Sequence, residues 1–465
     1  MIRKISIQWW RFWVAGEGFS IKTGRAFLLC AVTGLVTGLV AAFFYYLLET
    51  ARYYLLEGVG GFSPILAPGE PFLHPPVVSE PLRWVLLVLP MVGAAVSSLI
   101  VRTFAPSAGG HGTDAAVASY HREDGQIAAR VIPVRAIASS LVIGSGGSAG
   151  CEGPVTQIGA ACGATIARIL KLDAAERRIL FAAGMAAGVG AIFRSPLAGA
   201  IFAAEIFYSG LDIEYEVLMP SLVASTVAYA VFAIFFGWQP LFQMPEYTFT
   251  DPLKLVPFLL LAIVVSTGAK FYILVFRQTE QFFRTWSISP WLKPLIGAFL
   301  TGCIGFFFPE VLGAGYGLIQ QALSVGTTLT DTYGSLTLTL CLCIFFGKIF
   351  ATSMTVGSGN SGGLFGPALV SGAALGAATG LVLEPLFPSL VLHPSVFAMV
   401  GMAGFLAATV RTPIAAIIMV SEITGNHLLL LPTMWVCGIT YLLGNSWTIY
   451  RSQVRTRACS PAHQG

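Results

Sequence analysis

Two segments in opposite halves of the 465-residue chain have nearly the same glycine-rich sequence. Residues 144–154 read GSGGSAGCEGP and residues 357–367 read GSGNSGGLFGP, so that seven of eleven positions match without a gap. A second pair has almost the same spacing, because residues 183–205 and 400–422 match at nine of 23 positions. Two ungapped matches in the same order indicate an internal duplication. Any fold of this chain must therefore accommodate two related halves.

The stretches around these segments are too apolar for a water-soluble protein. Hydrophobic residues make up 55% of the chain and charged residues 10%, whereas soluble domains carry roughly 25% charged residues. Many apolar stretches approach the about 20 residues that span a bilayer, and glycine or proline interrupts several of them. The alternation of barrel strands is absent from the sequence. We therefore predict an all-α integral membrane protein of ten or more helical pieces, and exclude a soluble enzyme or a nucleic-acid partner.

The internal repeat and the distribution of Lys and Arg together divide the chain into four parts. We expect a basic amphipathic segment at 1–25, a first membrane repeat at 26–238, a second membrane repeat at 253–450 and a short cytoplasmic tail at 451–465. Lys and Arg collect near both ends, so both termini are predicted to face the cytoplasm. The Pro- and Gly-rich segment 57–81 is predicted to be an external loop. If each half crosses the membrane an odd number of times, the halves have opposite orientations, as in many transporters.

The glycine-rich segments have the composition of an anion site. Four glycines precede Glu152 in the first segment, and such a run is unfavourable inside a helix. Pro154 and Pro367 are predicted to open the helices that follow, so each segment would present free backbone N–H groups at a positive helix end. Irregular backbone at membrane depth is tolerated only where it lines a cavity. Close packing of small residues is the alternative explanation for either segment alone.

Glu152 is the candidate gate of this site. An ionisable side chain inside an apolar, glycine-lined segment is costly, and such residues are usually functional. A carboxylate competes with an anion for the same N–H groups, and protonation removes that competition. Glu152 is therefore predicted to make anion flux depend on pH. A solvated acid on an ordinary loop is the alternative.

These segments resemble the CLC family of chloride channels and proton-coupled chloride exchangers, over about residues 26–457. The resemblance implies a bacterial-type homodimer in the inner membrane, without a cytoplasmic regulatory domain, with inverted halves and one anion path per subunit. Its partners would be chloride or a related anion, membrane lipid and, in coupled members, protons; no cofactor, metal or catalytic residue is implied. Besides the four segments above, the resemblance includes VRTFAPSAGGHG at 101–112 and SWTIYRSQVR at 446–455.

The resemblance also assigns roles to individual residues. Glu152 matches the gating glutamate of the family's GxEGP motif, and Tyr450 matches the tyrosine whose hydroxyl coordinates the central anion. Further anion contacts are implied for both halves. They are Gly110, His111, Gly112, Gly153, Gly363, Leu364, Phe365 and Gly366.

Two positions depart from the family pattern. The usual GSGIP is GGHGTD here, so His111 stands where a serine hydroxyl faces the anion. Its ring either donates to the anion or points away and leaves binding to the backbone of Gly110 and Gly112. Ile206 stands where coupled members carry an internal proton-accepting glutamate, and Glu205 beside it, one helical step of about 100° away, is expected to be structural or minor. We expect channel-like or weakly proton-coupled transport, with a water-mediated chloride/proton antiporter as the alternative.

Other classes of function fit parts of the sequence. Ser148 with His111 as its base would suit an intramembrane serine protease, although the glycine segment occurs twice. A cation-coupled symporter also uses broken helices. Lys348 is expected either to stabilise an anion or to snorkel. Asp114 is expected to point away from the anion path or to cap a helix.

Overall fold

The computed structural model describes residues 21–70, 80–247, 249, 251–334, 336–391, 393–445 and 447–464. Residues 1–20 of the predicted amphipathic segment 1–25 and residues 71–79 of the predicted external loop 57–81 lie outside these residues. The described α-helices are α1 (Ile21–Arg52), α2 (Arg83–Phe104), α3 (Gly112–Arg122), α4 (Val131–Gly144), α5 (Glu152–Ile169), α6 (Ala174–Ile192), α7 (Pro196–Glu205), α8 (Tyr215–Phe236), α9 (Leu255–Thr285), α10 (Leu292–Phe307), α11 (Tyr316–Ser324), α12 (Thr330–Tyr333), α13 (Leu338–Gly357), α14 (Phe365–Leu386), α15 (Pro394–Val410), α16 (Pro413–Thr424) and α17 (Leu430–Leu443).

The apolar helices fall into two lengths, which confirms the predicted all-α membrane fold with broken helices. Short ones such as α7, with ten residues, extend only about 15 Å, half of the roughly 30 Å hydrocarbon core. The short helices therefore end inside the layer that the long helices cross. Six described helical segments are long and apolar enough to span a membrane: Gly24–Val59, Arg83–Phe104, Tyr215–Phe236, Pro252–Thr285, Leu338–Gly357 and Phe365–Leu386.

The long apolar stretch 178–208 is broken into α6 and α7 at Arg194. The backbone of Arg194 is left-handed, with a φ of 55°. Arg411 has a φ of 66° and breaks the corresponding stretch between α15 and α16. Ser195-Pro196 and Thr412-Pro413 follow these residues, and a residue before proline is disfavoured in a helix. The two halves thus repeat the same broken pair of helices.

The short helices α7 and α16 join the halves by reciprocal contacts. Glu205, at the end of α7, accepts a hydrogen bond of 2.8 Å from the backbone N–H of Ala415 in the first turn of α16. Near the end of α16, Glu422 accepts one of 2.9 Å from the N–H of Ala198 in the first turn of α7. Each carboxylate meets the positive end of the opposite helix. The two helices therefore run antiparallel, and the halves are inverted relative to each other.

Glycine allows the helices beside the glycine-rich segments to pack closely. A Cβ on Gly159 of α5 would lie 2.1 Å from the carbonyl oxygen of Gly184 in α6. In the second half, a Cβ on Gly372 of α14 would lie 2.9 Å from the carbonyl oxygen of Gly401 in α15. Small residues at helix interfaces let backbones approach in membranes, where no hydrophobic force drives helices together. These contacts hold α5 and α14 rigidly, and both helices begin at the candidate site.

Candidate functional site

The two glycine-rich segments lie against each other where α5 and α14 begin. Gly150 and Gly363 exchange two backbone hydrogen bonds of 2.9 and 2.8 Å. The turn before α3 joins them, because the N–H of Gly110 donates to the carbonyl of Gly359 at 3.1 Å. A Cβ on Gly363 would lie 2.7 Å from the backbone nitrogen of Gly153. Side chains are excluded at this contact, and backbone from both halves forms its surface.

The helices α5 and α14 each begin two residues before the position predicted from the sequence. The first residue is Glu152 in α5 and Phe365 in α14, so Pro154 and Pro367 are third rather than first. The N–H groups of the whole first turn have no partner within the helix, so proline is tolerated there. The earlier start places Glu152 in the first turn, where the helix dipole favours a carboxylate.

The carboxylate of Glu152 fills the space between the two segments. The residue is 2% exposed. A Cβ on Gly150 would lie 1.9 Å from its Oε2 atom, and a Cβ on Gly366 would lie 2.6 Å from Oε1. The hydroxyl of Tyr316 donates to Oε1, whereas Oε2 has no hydrogen-bond partner in the described part of the chain. Glu152 thus occupies the space beside the N-termini of α5 and α14.

Tyr316 is a site residue that sequence reasoning missed. It begins α11, and His111 immediately precedes α3. Each of the two follows a glycine with positive φ, 83° at Gly315 and 63° at Gly110. The signal in the sequence was the pair of GHG and GYG triplets at corresponding places in the two halves.

At the other end of the site, Tyr450 and His111 stack on each other. Their ring centroids are 5.9 Å apart with an interplanar angle of 29°. The Nε2 atom of His111 lies 3.7 Å from Oε1 of Glu280. The Tyr450 hydroxyl and His111 Nδ1 are buried and have no hydrogen-bond partner among the described residues, although the Thr113 side chain adjoins that hydroxyl. Both atoms are therefore candidates for contact with an anion.

Asp114 anchors the chain just after Tyr450. Its carboxylate accepts hydrogen bonds from the backbone N–H and the hydroxyl of Ser452 at 2.8 and 2.9 Å. The N–H of Ile449 donates to the carbonyl of Thr409 at 2.9 Å. Tyr450 is thus fixed from both sides, and the Asp114 carboxylate is engaged with the segment that follows it.

Two fully buried cations hold the turns that precede α3 and α11. Arg135 and Lys348 are each 0% exposed, so Lys348 does not snorkel. Arg135 and Lys348 each stand nine positions before the first glycine of the glycine-rich segment that follows them. Sequence reasoning missed Arg135, and this correspondence with Lys348 was the signal that could have found it. Neither forms an ion pair with another described residue. The carbonyl acceptors are Ala108 and Gly110 for Arg135, at 2.5 and 2.7 Å, and Val311 and Gly313 for Lys348, at 3.1 and 2.7 Å.

The remaining predicted residues Ile206, Glu205 and Ser148 have described hydrogen-bond partners other than the Glu152 carboxylate. Ile206 is fully buried, and its carbonyl accepts a hydrogen bond of 2.9 Å from the side chain of Gln453. Glu205 binds the start of α16, as described above. The Ser148 hydroxyl lies 3.0 Å from that of Thr352 and forms no nucleophile–base pair with His111. The arrangement does not suit a serine protease.

Residues 93–445 match the family described as voltage-gated chloride channels. The chain belongs to the CLC family. Similar CLC proteins include the H⁺/Cl⁻ exchange transporter ClcA of Vibrio cholerae, 31% identical over 417 residues, which are 87% of this chain and 83% of that protein. The ClcA of Salmonella arizonae is 32% identical over 432 residues, 90% of this chain and 86% of that protein. Family membership and the apolar helices make this a multi-pass membrane protein for anion transport.

Solved CLC structures share the fold at low sequence identity. A slow cyanobacterial Cl⁻/H⁺ antiporter superposes with a TM-score of 0.75 at 24% identity, covering 92% of this chain and 96% of that one. A CLC-type fluoride/proton antiporter gives a TM-score of 0.76 at 22% identity, covering 95% of this chain and all of that one. The CLC architecture of this chain is thereby shown.

Proposed function

We propose that the chain transports chloride, or a related small anion, through one pathway in each subunit, and that Glu152 is the gate. The observation that carries this proposal is the position of the Glu152 carboxylate against the backbone of Gly150 and Gly366, at the N-termini of α5 and α14. A carboxylate and a chloride ion seek the same N–H groups at a helix end. Glu152 therefore excludes the anion while it is charged, and protonation releases the competition.

The surroundings of the path favour an anion over a cation. The Tyr450 hydroxyl and the Nδ1 atom of His111 are buried without a partner among the described residues, and both can carry a hydrogen to donate. Among the described residues, Arg135 and Lys348 donate hydrogen bonds to carbonyls and form no ion pair. Lys348 faces the Glu152 carboxylate, so its charge is free to attract an anion once Glu152 is protonated. Neutral donors combined with a positive potential attract a chloride ion and still allow it to leave.

Coupling to protons is proposed to be weak, because Ile206 cannot carry a proton at the internal position. Proton-coupled antiport is the second candidate, and two observations favour it. ClcA relatives are named exchange transporters. A polar cluster also lies just beyond Ile206, where the Tyr208 hydroxyl donates to Glu214 at 2.5 Å and His463 Nε2 lies 2.8 Å from the same oxygen.

The remaining expectations about assembly and placement extend this proposal. The chain acts as a transporter rather than an enzyme, as a homodimer in the inner membrane with both termini in the cytoplasm. Chemical cross-linking in membranes checks the dimer. Labelling of a cysteine added after residue 464, from either side of sealed vesicles, checks the position of the C-terminus.

Replacing Glu152 by Gln tests the gate. In proteoliposomes, wild-type chloride efflux is expected to rise as the pH falls from about 7.5 to about 4.5, a range that covers ordinary and raised carboxyl pKa values. The Glu152→Gln variant is expected to conduct at every pH, because its amide has no charge to compete with chloride. Glu123→Gln, which removes an exposed acid, is the matched control. A wild-type pH response in the Glu152→Gln variant would refute the gate.

Replacing Ile206 by Glu tests the coupling. Proton uptake is measured beside chloride efflux in liposomes under a chloride gradient. The wild type is expected to take up few protons per chloride, and Ile206→Glu is expected to raise that ratio, because a carboxylate then stands at the internal position. Stoichiometric uptake by the wild type would instead establish the antiporter. Ile206→Leu, which keeps the site aliphatic, is the control.

A further inference from the structure

A small cavity connects a group of charged side chains with the wall of the Glu152 site. Its volume is about 40 Å³, enough for at least one water molecule. Its lining includes the charged residues Glu49, Arg52 and Glu70 together with Cys151 and Tyr316. The cavity therefore touches both the titratable groups and the tyrosine that bonds the gate.

Among the described residues that line the cavity, two acids share one cation. Arg52 pairs with Glu49 at 2.5 Å, and also with Glu57 at 3.3 Å outside the cavity lining. Glu49 and Glu70 are at most 7% exposed, so Arg52 is the cation in this lining for two buried acids. The Tyr45 hydroxyl also faces this group. Buried carboxylates in excess over their cations retain protons.

Glu70 is the acid of this group that lies in a loop, between the spanning helices α1 and α2. Burial, followed by repulsion from Glu49, raises the pKa of Glu70 to about 7, although Arg52, Arg194 and the N–H of Ala67 oppose the shift. Arg194 is engaged elsewhere, since it donates to backbone carbonyls, including that of Gly69. Glu70 therefore gains and loses a proton near neutral pH.

The cavity wall contacts the gate through the hydroxyl of Tyr316. Tyr316 donates to Oε1 of Glu152, and its oxygen lies 3.3 Å from Sγ of Cys151. Lys348 is the cation that faces Glu152 here. The Oε2 atom of this buried glutamate has no partner among the residues described. An unpartnered oxygen on a buried carboxylate is a place where a proton or another hydrogen-bond donor is expected to bind.

We propose that the cavity is the route by which protons reach Glu152 from the side of the Glu70 loop, with Glu70 as collector and Tyr316 as the final relay. This inference rests on the proposed function, in which protonation of Glu152 opens the path. A cavity water accepts the proton of Glu70 and gives one to the Tyr316 oxygen as Tyr316 passes its own proton to Glu152. Tyr316 is neutral before and after this transfer. Solvent then reprotonates Glu70, so that the net result is one proton carried from solvent to Glu152.

The test measures chloride efflux from oriented proteoliposomes while the pH is changed on the Glu70 side. Glu70→Gln and Tyr316→Phe are each expected to slow the response of the efflux to a pH jump about tenfold, which corresponds to about 1.4 kcal/mol. The midpoint of activation measured after equilibration is expected to stay the same, because a relay changes the rate of proton delivery and not its equilibrium. Glu310→Gln, an exposed acid beside the cavity wall residue Leu312, is the matched control and keeps the wild-type rate.

Combining Glu70→Gln with Glu152→Gln separates a relay from a structural effect. In the double variant the gate needs no proton, so its flux is expected to equal that of Glu152→Gln alone. A lower flux would mean that Glu70 supports the path itself, and would overturn the relay. A wild-type response rate in both the Glu70→Gln and the Tyr316→Phe variants would also overturn it. If the Glu152→Gln variant kept the wild-type pH response, the gate would fail instead.

Discussion

At the scale of single residues, the site contains three of the buried polar atoms that the described protein leaves unpaired. Most buried polar groups in proteins have a hydrogen-bond partner. Tyr450 Oη, His111 Nδ1 and Glu152 Oε2 are buried without one among the described residues. Two of these atoms can donate and one accepts, as the proposed chloride path with a carboxylate gate requires.

Replacing Tyr450 by Phe is expected to weaken chloride binding about tenfold or more. The hydroxyl would lose a hydrogen bond to a charged partner, worth about 1.5–3 kcal/mol. Isothermal titration of purified protein with chloride measures the change. Tyr120→Phe, at another buried tyrosine, is the control. Equal affinity in wild type and the Tyr450→Phe variant would show that this hydroxyl does not contact the anion.

At the scale of helices, α7 and α16 hold each other by two equivalent carboxylates. Glu205 and Glu422 occupy corresponding places in the repeat, and each bonds the first turn of the opposite helix. Only Glu205 lies next to Ile206, the proposed internal proton position. The two glutamates therefore form a natural pair in which a structural role can be compared with a role in proton transfer.

Glu205→Gln and Glu422→Gln are each expected to destabilise the protein by about 1 kcal/mol, as for the loss of a helix N-cap. Both variants lose a negative charge at a positive helix end. Thermal unfolding in detergent measures the loss, and proton uptake in liposomes is expected to stay unchanged in both. A drop in proton uptake confined to the Glu205→Gln variant would assign that residue a role in proton transfer.

The tail segment 451–464 is tied to the start of α8 by Glu214, which precedes the spanning helix. Burial would raise the pKa of Glu214, but hydrogen bonds from His463 and Tyr208 and the charge of Arg457 hold that pKa below its usual range. A carboxyl with a lowered pKa stabilises the folded state above the unfolded value of about 4.3. That contribution to stability is lost as the pH falls through the lowered pKa of Glu214 in the folded protein.

Docking of the tail is accordingly expected to weaken below about pH 4, where an ordinary Glu carboxyl is protonated. Hydrogen exchange of residues 451–464 measured across this range checks the prediction. Glu214→Gln is expected to give fast exchange already at neutral pH, whereas Glu123→Gln is expected to leave it slow. Exchange in the wild type that does not respond to pH would remove Glu214 as the anchor.

At the scale of the whole molecule, the sequence predicted the helical class and the duplication, whereas the roles of the site residues stay predictions. Composition and repeat sufficed for these, because membrane burial and glycine-rich backbone leave strong patterns. Helix starts were misplaced by two residues, since Pro154 and Pro367 are tolerated anywhere in a first turn. Tyr316 and Arg135 were missed because their repeat partners, His111 and Lys348, have different side chains. Only backbone placement reveals that these pairs are equivalent.

The hydrogen bonds between Gly150 and Gly363 make the site a shared product of the two halves. One half alone carries only one side of this seam, and an inverted copy of the same half supplies the other side. A pair of identical halves would look the same from either face of the membrane. The two halves of this chain are not identical there, because Glu152 in one corresponds to Phe365 in the other. This pair of positions therefore makes the two faces of the seam chemically different.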